Sequence, residues 1–201
     1  MKNVINCFAN KKIAVICAAI LLCITACHRN PDVIAPPPPS PHPKPTSAYS
    51  STVATKWLDV QTRILQLPAG PNIFGLNPTR YFAYCGVALY EAVVPGMPGN
   101  RSLVGQLTDM PEMPATVAGA DYHWAACANA ALAAMNRQLF PNTSEANKIS
   151  IDSLENALNT VYKSEVPNDE AFQRSAAFGK EVAKRIYNWS LTDGSLTIYP
   201  T

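Results

Sequence analysis

The sequence predicts an all-α fold, and three observations predict it. Five segments between residues 51 and 190 repeat apolar side chains at helical intervals. No stretch sustains the apolar–polar alternation of a half-buried strand. Prolines punctuate the periodic segments, with Pro68, Pro95 and Pro141 after segment ends and Pro78 at a segment start. The expected architecture is a helical bundle of about five helices with one long loop, preceded by a signal peptide and a disordered proline-rich tether.

The first segment, 51–67, spaces Val53, Trp57, Val60, Ile64 and Leu67 by alternating steps of four and three. The second starts at Pro78, which suits a first helical turn because its missing N–H would have had no helical partner. It aligns Phe82, Cys85, Leu89 and Ala92. A long loop is expected from Pro95 to Pro114. The third segment, 118–140, is rich in alanine, the residue that favours helix most and lets neighbouring helices come close. The fourth, 144–164, aligns Ile151, Leu154, Leu158 and Val161. The fifth, 169–190, opens with Asp169 and Glu170 at the positive end of the helix dipole. It carries Phe172, Ala176, Gly179, Ala183 and Ile186 on one face.

Ahead of the helices lies an apolar run, Ile13 to Ala26, behind Lys2, Lys11 and Lys12. It closes on Ile24-Thr25-Ala26-Cys27. A positive flank, an apolar stretch and small residues make a secretory signal. The run is shorter than the roughly 20 residues that a bilayer span needs. With a cysteine at the cleavage point, it resembles a bacterial lipoprotein signal, which implies Cys27 as the lipidated first residue of the mature chain. Eight prolines follow in residues 31–47. Proline fixes φ and removes a backbone donor, so this stretch favours polyproline II and would reach roughly 50 Å. The expected division is 1–26 signal peptide, 27–50 lipidated cysteine and tether, and 51–201 helical domain. The expected address is the bacterial cell envelope, with the membrane as partner through the lipid. His28, rather than an aspartate, after Cys27 favours the outer membrane.

Removal of the first 26 residues leaves thirteen basic against fourteen acidic residues, and no basic block. Such a chain has no nucleic-acid surface. Of six cysteines, Cys7, Cys17 and Cys23 leave with the signal and Cys27 takes lipid. Cys85 and Cys127 remain. An exported compartment permits a disulfide between them; two small buried apolar residues is the stronger reading.

The residues offer little chemistry. His123 and Cys127 stand four apart, so on a helix they would share a face and could begin a metal site. Asp121 and Glu91 are only nominal further ligands, and a structural zinc site wants four with clear spacing. The default reading of His123 is a helix histidine packed on a loop or a partner helix. No Gly-x-Ser-x-Gly turn and no phosphate-cradling glycine loop occur. Glu165, Asp169 and Glu170 read as solvated charges and helix-start residues. The glycosylation-type triplets at Asn100, Asn142 and Asn188 read as coincidence. No catalytic, cofactor-binding or metal residue is assigned.

Three stretches carry a resemblance. The first runs Asn77-Pro78-Thr79-Arg80-Tyr81-Phe82-Ala83 and continues through Val87-Ala88-Leu89-Tyr90-Glu91-Ala92. The second is Ala125-Ala126-Cys127-Ala128-Asn129-Ala130, leading to Leu139-Phe140-Pro141. The third is Gly179-Lys180-Glu181-Val182-Ala183, then Trp189, then Asp193-Gly194. In this order they resemble the N-terminal helical region of exported proteins related to vanadium-dependent haloperoxidases, in the type 2 phosphatidic acid phosphatase superfamily. The resemblance covers about residues 55 to 199, with Glu91 where the family usually has aspartate. Relatives hold phosphate or vanadate with a lysine and an Arg-Pro pair, a Pro-Ser-Gly-His stretch, and a later arginine followed by histidine. A multiply charged oxyanion needs such a set of fixed cations and N–H donors. This sequence has no Arg-Pro and no Pro-Ser-Gly-His. The resemblance therefore implies the front part of a longer fold, inactive by itself, whose partner is a missing C-terminal catalytic half. Vanadate belongs to that full-length parent and no cofactor to this chain. The alternative is a complete non-catalytic helical lipoprotein that binds a glycan or a protein partner.

Overall fold

A computed structural model describes residues 44–66 and 78–194 of the chain. The signal, Cys27 and the proline run through residue 43 lie outside the described residues, as do Leu67, Pro68 and Asn77. Five α-helices run in order: α1 (Thr52–Gln66), α2 (Pro78–Val93), α3 (Trp124–Leu139), α4 (Glu145–Glu165) and α5 (Asp169–Ser190). Short 3-10 turns occupy Thr46–Ala48 and Val94–Gly96, and there is no strand among the described residues. No described helix is long and apolar enough to cross a membrane.

The alanine-rich helix α3 is the centre. Every residue from Trp124 to Ala133 is buried, so this helix has no solvent face over its first ten positions. It packs most extensively on α5, then on α2, with α4 and α1 on its other sides. Small side chains allow that crowding. At Gly179 of α5 an added Cβ would stand 2.1 Å from the Cys127 carbonyl oxygen, so the α3–α5 crossing is a backbone-to-backbone contact that only glycine permits. Trp57 of α1 is fully buried, and its indole N–H donates to Asn129 Oδ1 of α3 at 2.8 Å. The Asn129 amide in turn donates to the Glu155 carbonyl (3.1 Å) and Asn159 Oδ1 (2.9 Å) of α4. One buried side chain thus ties three helices together. Arg137 of α3 adds an ion pair to Asp152 and another to Glu155.

The structure corrects several sequence expectations. The third helix begins at Trp124, not near residue 118. Gly119 has φ +73°, and His123 is extended (φ −94°, ψ 95°) and caps α3: its Nδ1 accepts the Ala126 N–H at 3.1 Å. Helix α4 buries Ile151, Glu155, Leu158 and Tyr162, whereas Leu154 is half-buried and Val161 is 48% exposed. Steps of four and three from Ile151 fit either stripe. Arg137 on Glu155 and the His123 ring on Tyr162 select the one with polar members. In α2 the buried stripe is Tyr81, Cys85, Ala88 and Ala92, with Phe82 and Leu89 half-buried.

The long loop runs on to His123 and is stapled to the helices. Buried Glu91 of α2 accepts the Leu103 N–H (2.7 Å) and the Ser102 hydroxyl (2.9 Å). Tyr90 donates to the Arg101 carbonyl. From α5, Arg185 reaches the Glu112 carbonyl, Trp189 the Thr108 carbonyl and Arg174 the Asp121 carbonyl. Residues 44–50, assigned to the tether in the sequence reading, lie against the helical body. Trp124 Nε1 donates to the Lys44 carbonyl (3.0 Å), and the Thr46 hydroxyl to the Val93 carbonyl (2.7 Å). Gly96 makes room for both, since a Cβ there would meet Trp124 Nε1 at 2.1 Å and Thr46 Oγ1 at 2.5 Å.

Candidate functional site

The fold brings the first and third of the three sequence stretches together. Arg80, in the first turn of α2, donates from Nε to Asp193 Oδ2 at 2.7 Å and from Nη2 to the Ser190 carbonyl. Tyr84, one turn on, donates its hydroxyl to the same Asp193 oxygen at 3.0 Å and packs edge-on against Trp189. Arg80 and Asp193 are only 18% and 26% exposed at their side chains, so this is a half-sheltered, charge-assisted clamp. It ties the start of α2 to the turn after α5. The second stretch supplies the face on which Gly179 lands. All three stretches are therefore packing and clamping devices: Arg80–Asp193, Glu91 under the loop, and Gly179 on α3.

His123 and Cys127 do not make a metal site. As the cap residue, His123 has both ring nitrogens engaged by protein groups. Its Nδ1 accepts the Ala126 N–H, so the Nε2 carries the proton and donates to Glu165 Oε2 at 2.9 Å. Glu165 is thus a histidine partner rather than a free charge. The backbone N–H of His123 donates to Ser175 Oγ of α5 at 2.9 Å. Tyr49 packs against the imidazole edge-on at 4.5 Å and Tyr162 tilted at 4.9 Å. Burial pushes the imidazole below its usual range; the bond to Glu165 and its charge oppose that, and the Lys44 charge adds to it. Asp121 offers its carbonyl to Arg174, and buried Glu91 serves the loop. Among the described residues, no cluster of three or more His, Cys, Asp or Glu could hold a metal ion.

Cys85 and Cys127 are both free and buried, so the disulfide is not formed. Their thiols face different neighbours, Gln61 of α1 and Ser175 of α5. Burial pushes Cys85 up to about 12 and Cys127 up as well, which leaves neither a thiolate for chemistry. In each glycosylation-type triplet the serine has structural work: Ser102 on Glu91, Ser144 capping α4, and Ser190 donating to the Tyr187 carbonyl. Asp169 lies by Lys163 and Glu170 by Arg174 on the exposed start of α5. Cys27 lies outside the described residues.

Two open clefts mix their charges. One of 450 Å³ between α1 and α4 sets Lys56 and Arg63 beside Asp59. Another of 250 Å³ holds Arg137 and Lys148 beside Asp152. Arg80, Glu91 and Asp193 are legible in the sequence as motif residues, but their partners are not. An arginine opening one helix and an aspartate after another gave the signal, without the distance between them.

No family model matches the chain, and no curated protein matches it. Among solved structures, the chain is similar to one described as the first bacterial vanadium-dependent iodoperoxidase, with a TM-score of 0.58 and 23% identity. The similarity covers 75% of this chain and 35% of that one, so the chain spans about a third of the length of the structure it matches. The likeness is one of fold: the helical body described above is a haloperoxidase-like helical fold.

Proposed function

We propose that this chain is the helical scaffold of an exported, lipid-anchored protein related to vanadium-dependent haloperoxidases and acid phosphatases, and that the scaffold turns over no substrate by itself. The observation that carries this reading is the Arg80–Asp193 clamp, which joins the first and third stretches of the resemblance within a haloperoxidase-like fold. The state of the arginines supports the second half of it. Four of the six described arginines, Arg80, Arg137, Arg174 and Arg185, are each bound to a carboxylate. An oxyanion site needs cations that converge on an empty position rather than on acids of their own chain. Vanadate or phosphate would then be held by groups outside this scaffold, in a C-terminal catalytic half that packs on it. Cys27 would carry the lipid, placing the scaffold at the envelope, with the outer membrane favoured.

The test is turnover. The purified chain, supplied with vanadate, hydrogen peroxide and iodide or bromide, should oxidise no halide, and it should release no phosphate from an aryl phosphate. Activity above a mock preparation overturns the reading. Fatty-acid labelling of cells making the chain should tag it, and Cys27→Ser should abolish the tag; label retained by that variant removes the anchor.

A further inference from the structure

We propose that residues 44–50 form a proton-sensitive latch, held on the helical body by neutral His123 and released when that imidazole is protonated. Neutral His123 does two jobs that need opposite nitrogens. Nδ1 accepts the Ala126 N–H as the cap of α3, and Nε2 donates to Glu165. A protonated ring has no lone pair on Nδ1, so the Ala126 N–H would keep its bond to the His123 carbonyl (2.9 Å) but face an N–H on the ring side. The ring must then turn out of the cap, and the edge-on seat of Tyr49, 4.5 Å away, goes with it.

The latch also carries its own repulsion. Lys44 Nζ sits 4.2 Å from the Tyr49 ring centroid, on the segment that covers His123. Its charge opposes a charge on the imidazole. Undocking removes both the Lys44 charge and the cover of Tyr49, so it makes His123 more basic, and protons in turn favour undocking.

The titratable groups around His123 come from every side. The segment itself brings Lys44 and Tyr49, α4 brings Tyr162 and Glu165, and α3 brings the buried Cys127 thiol. Asp121 in the loop acts on Tyr49, and α5 offers the Ser175 hydroxyl, with Arg174 beyond it on the Asp121 carbonyl. The Glu165 carboxylate and the backbone of His123 itself favour the protonated ring through hydrogen bonds, and both stay with the helical body. Burial and Lys44 favour the neutral ring. The sign follows: docking is complete above the ordinary imidazole range and is lost as pH falls below it.

Hydrogen–deuterium exchange of the full chain in detergent, read by mass spectrometry from pH 7.5 to 5 and corrected for intrinsic exchange, tests this. The opening ratio of the 44–50 peptide should rise about tenfold per pH unit below the imidazole range, while peptides from α3 between 129 and 139 keep their protection. His123→Asn keeps a cap acceptor without a titrating ring, so its 44–50 opening should be flat with pH. Glu165→Gln keeps an acceptor for Nε2 but removes the charge that favours protonation, so its transition should move to lower pH. A flat wild-type profile overturns the latch. So does loss of α3 protection together with the segment, which is global acid unfolding. If His123→Asn does not fold, the Glu165→Gln displacement decides alone, and an unmoved transition overturns the proposal.

Discussion

One substitution made at two places separates tight packing from helix propensity. Glycine inside a helix costs roughly 1 kcal/mol relative to alanine, so propensity alone says that Gly→Ala stabilises at either site. Gly86 of α2 has open space where a Cβ would go, with nothing within 4 Å. Gly86→Ala should therefore stabilise by about 0.5–1 kcal/mol. At Gly179 the same atom would meet the Cys127 carbonyl oxygen at 2.1 Å, its carbon at 2.9 Å and the Ala131 nitrogen at 3.1 Å. These are backbone atoms of a helix buried on all sides, so no side chain can swing away. Restoring ordinary contact means parting α3 from α5 by about 1 Å, which forfeits a quarter to a half of each contact energy across the gap. Overpacking of this kind costs about 1–3 kcal/mol, and the backbone setting puts Gly179→Ala at or beyond the upper end. Subtracting the propensity gain leaves a net loss of about 2 kcal/mol. The two variants should differ by about 3 kcal/mol, roughly two orders of magnitude in the folding equilibrium. Urea unfolding followed by far-ultraviolet circular dichroism measures both. Gly179→Ala unfolding at or above the wild-type midpoint would refute the account of the α3–α5 crossing, and a loss at Gly86 equal to that at Gly179 would refute the contrast.

Other expectations concern the clamp, the loop and the thiols. Arg80→Ala should cost about 1–2 kcal/mol in the same unfolding assay, because it strips a half-sheltered carboxylate and the Ser190 carbonyl of their donor; an unchanged midpoint contradicts the clamp. Glu91→Gln should cost about 1–3 kcal/mol, since an amide can accept with one oxygen where the carboxylate uses two. Its signature should be faster amide exchange at Leu103, and unaltered protection there would count against the staple. Cys85 and Cys127 should resist a thiol reagent at pH 8 until denaturant is added, because burial holds both as thiols. Mass-mapped labelling of either one in the folded chain would show that it is not sealed.

The helices were legible in the sequence because periodicity and proline placement are local signals. Asp169–Ser190 came out with the bounds read from the sequence, and the Val53–Trp57–Val60–Ile64 stripe is buried as expected. The misses share a cause: a residue's role was set by a partner that periodicity does not reveal. The start of α3 was misplaced because alanine content promotes helix while His123 ends it, and the cap is visible only once its ring is placed. The α4 stripe was mis-phased because Glu155 reads as polar until Arg137 is known to sit beside it. Glu91 read as a nominal metal ligand, but its acceptors are spent on a loop eleven and twelve residues on. The motifs marked which positions matter, and the structure gave their work, which is mechanical.

The two attachments at the ends of α2 also give the body a direction. The 44–50 segment is pinned to Val93, at the last turn of this helix, while the turn after α5 is pinned to Arg80, near its first. At 1.5 Å per residue those points stand roughly 20 Å apart along the axis. The described segments 44–50 and 191–194 are therefore fastened to opposite ends of α2. A load applied between those two segments would run along α2 from one end to the other.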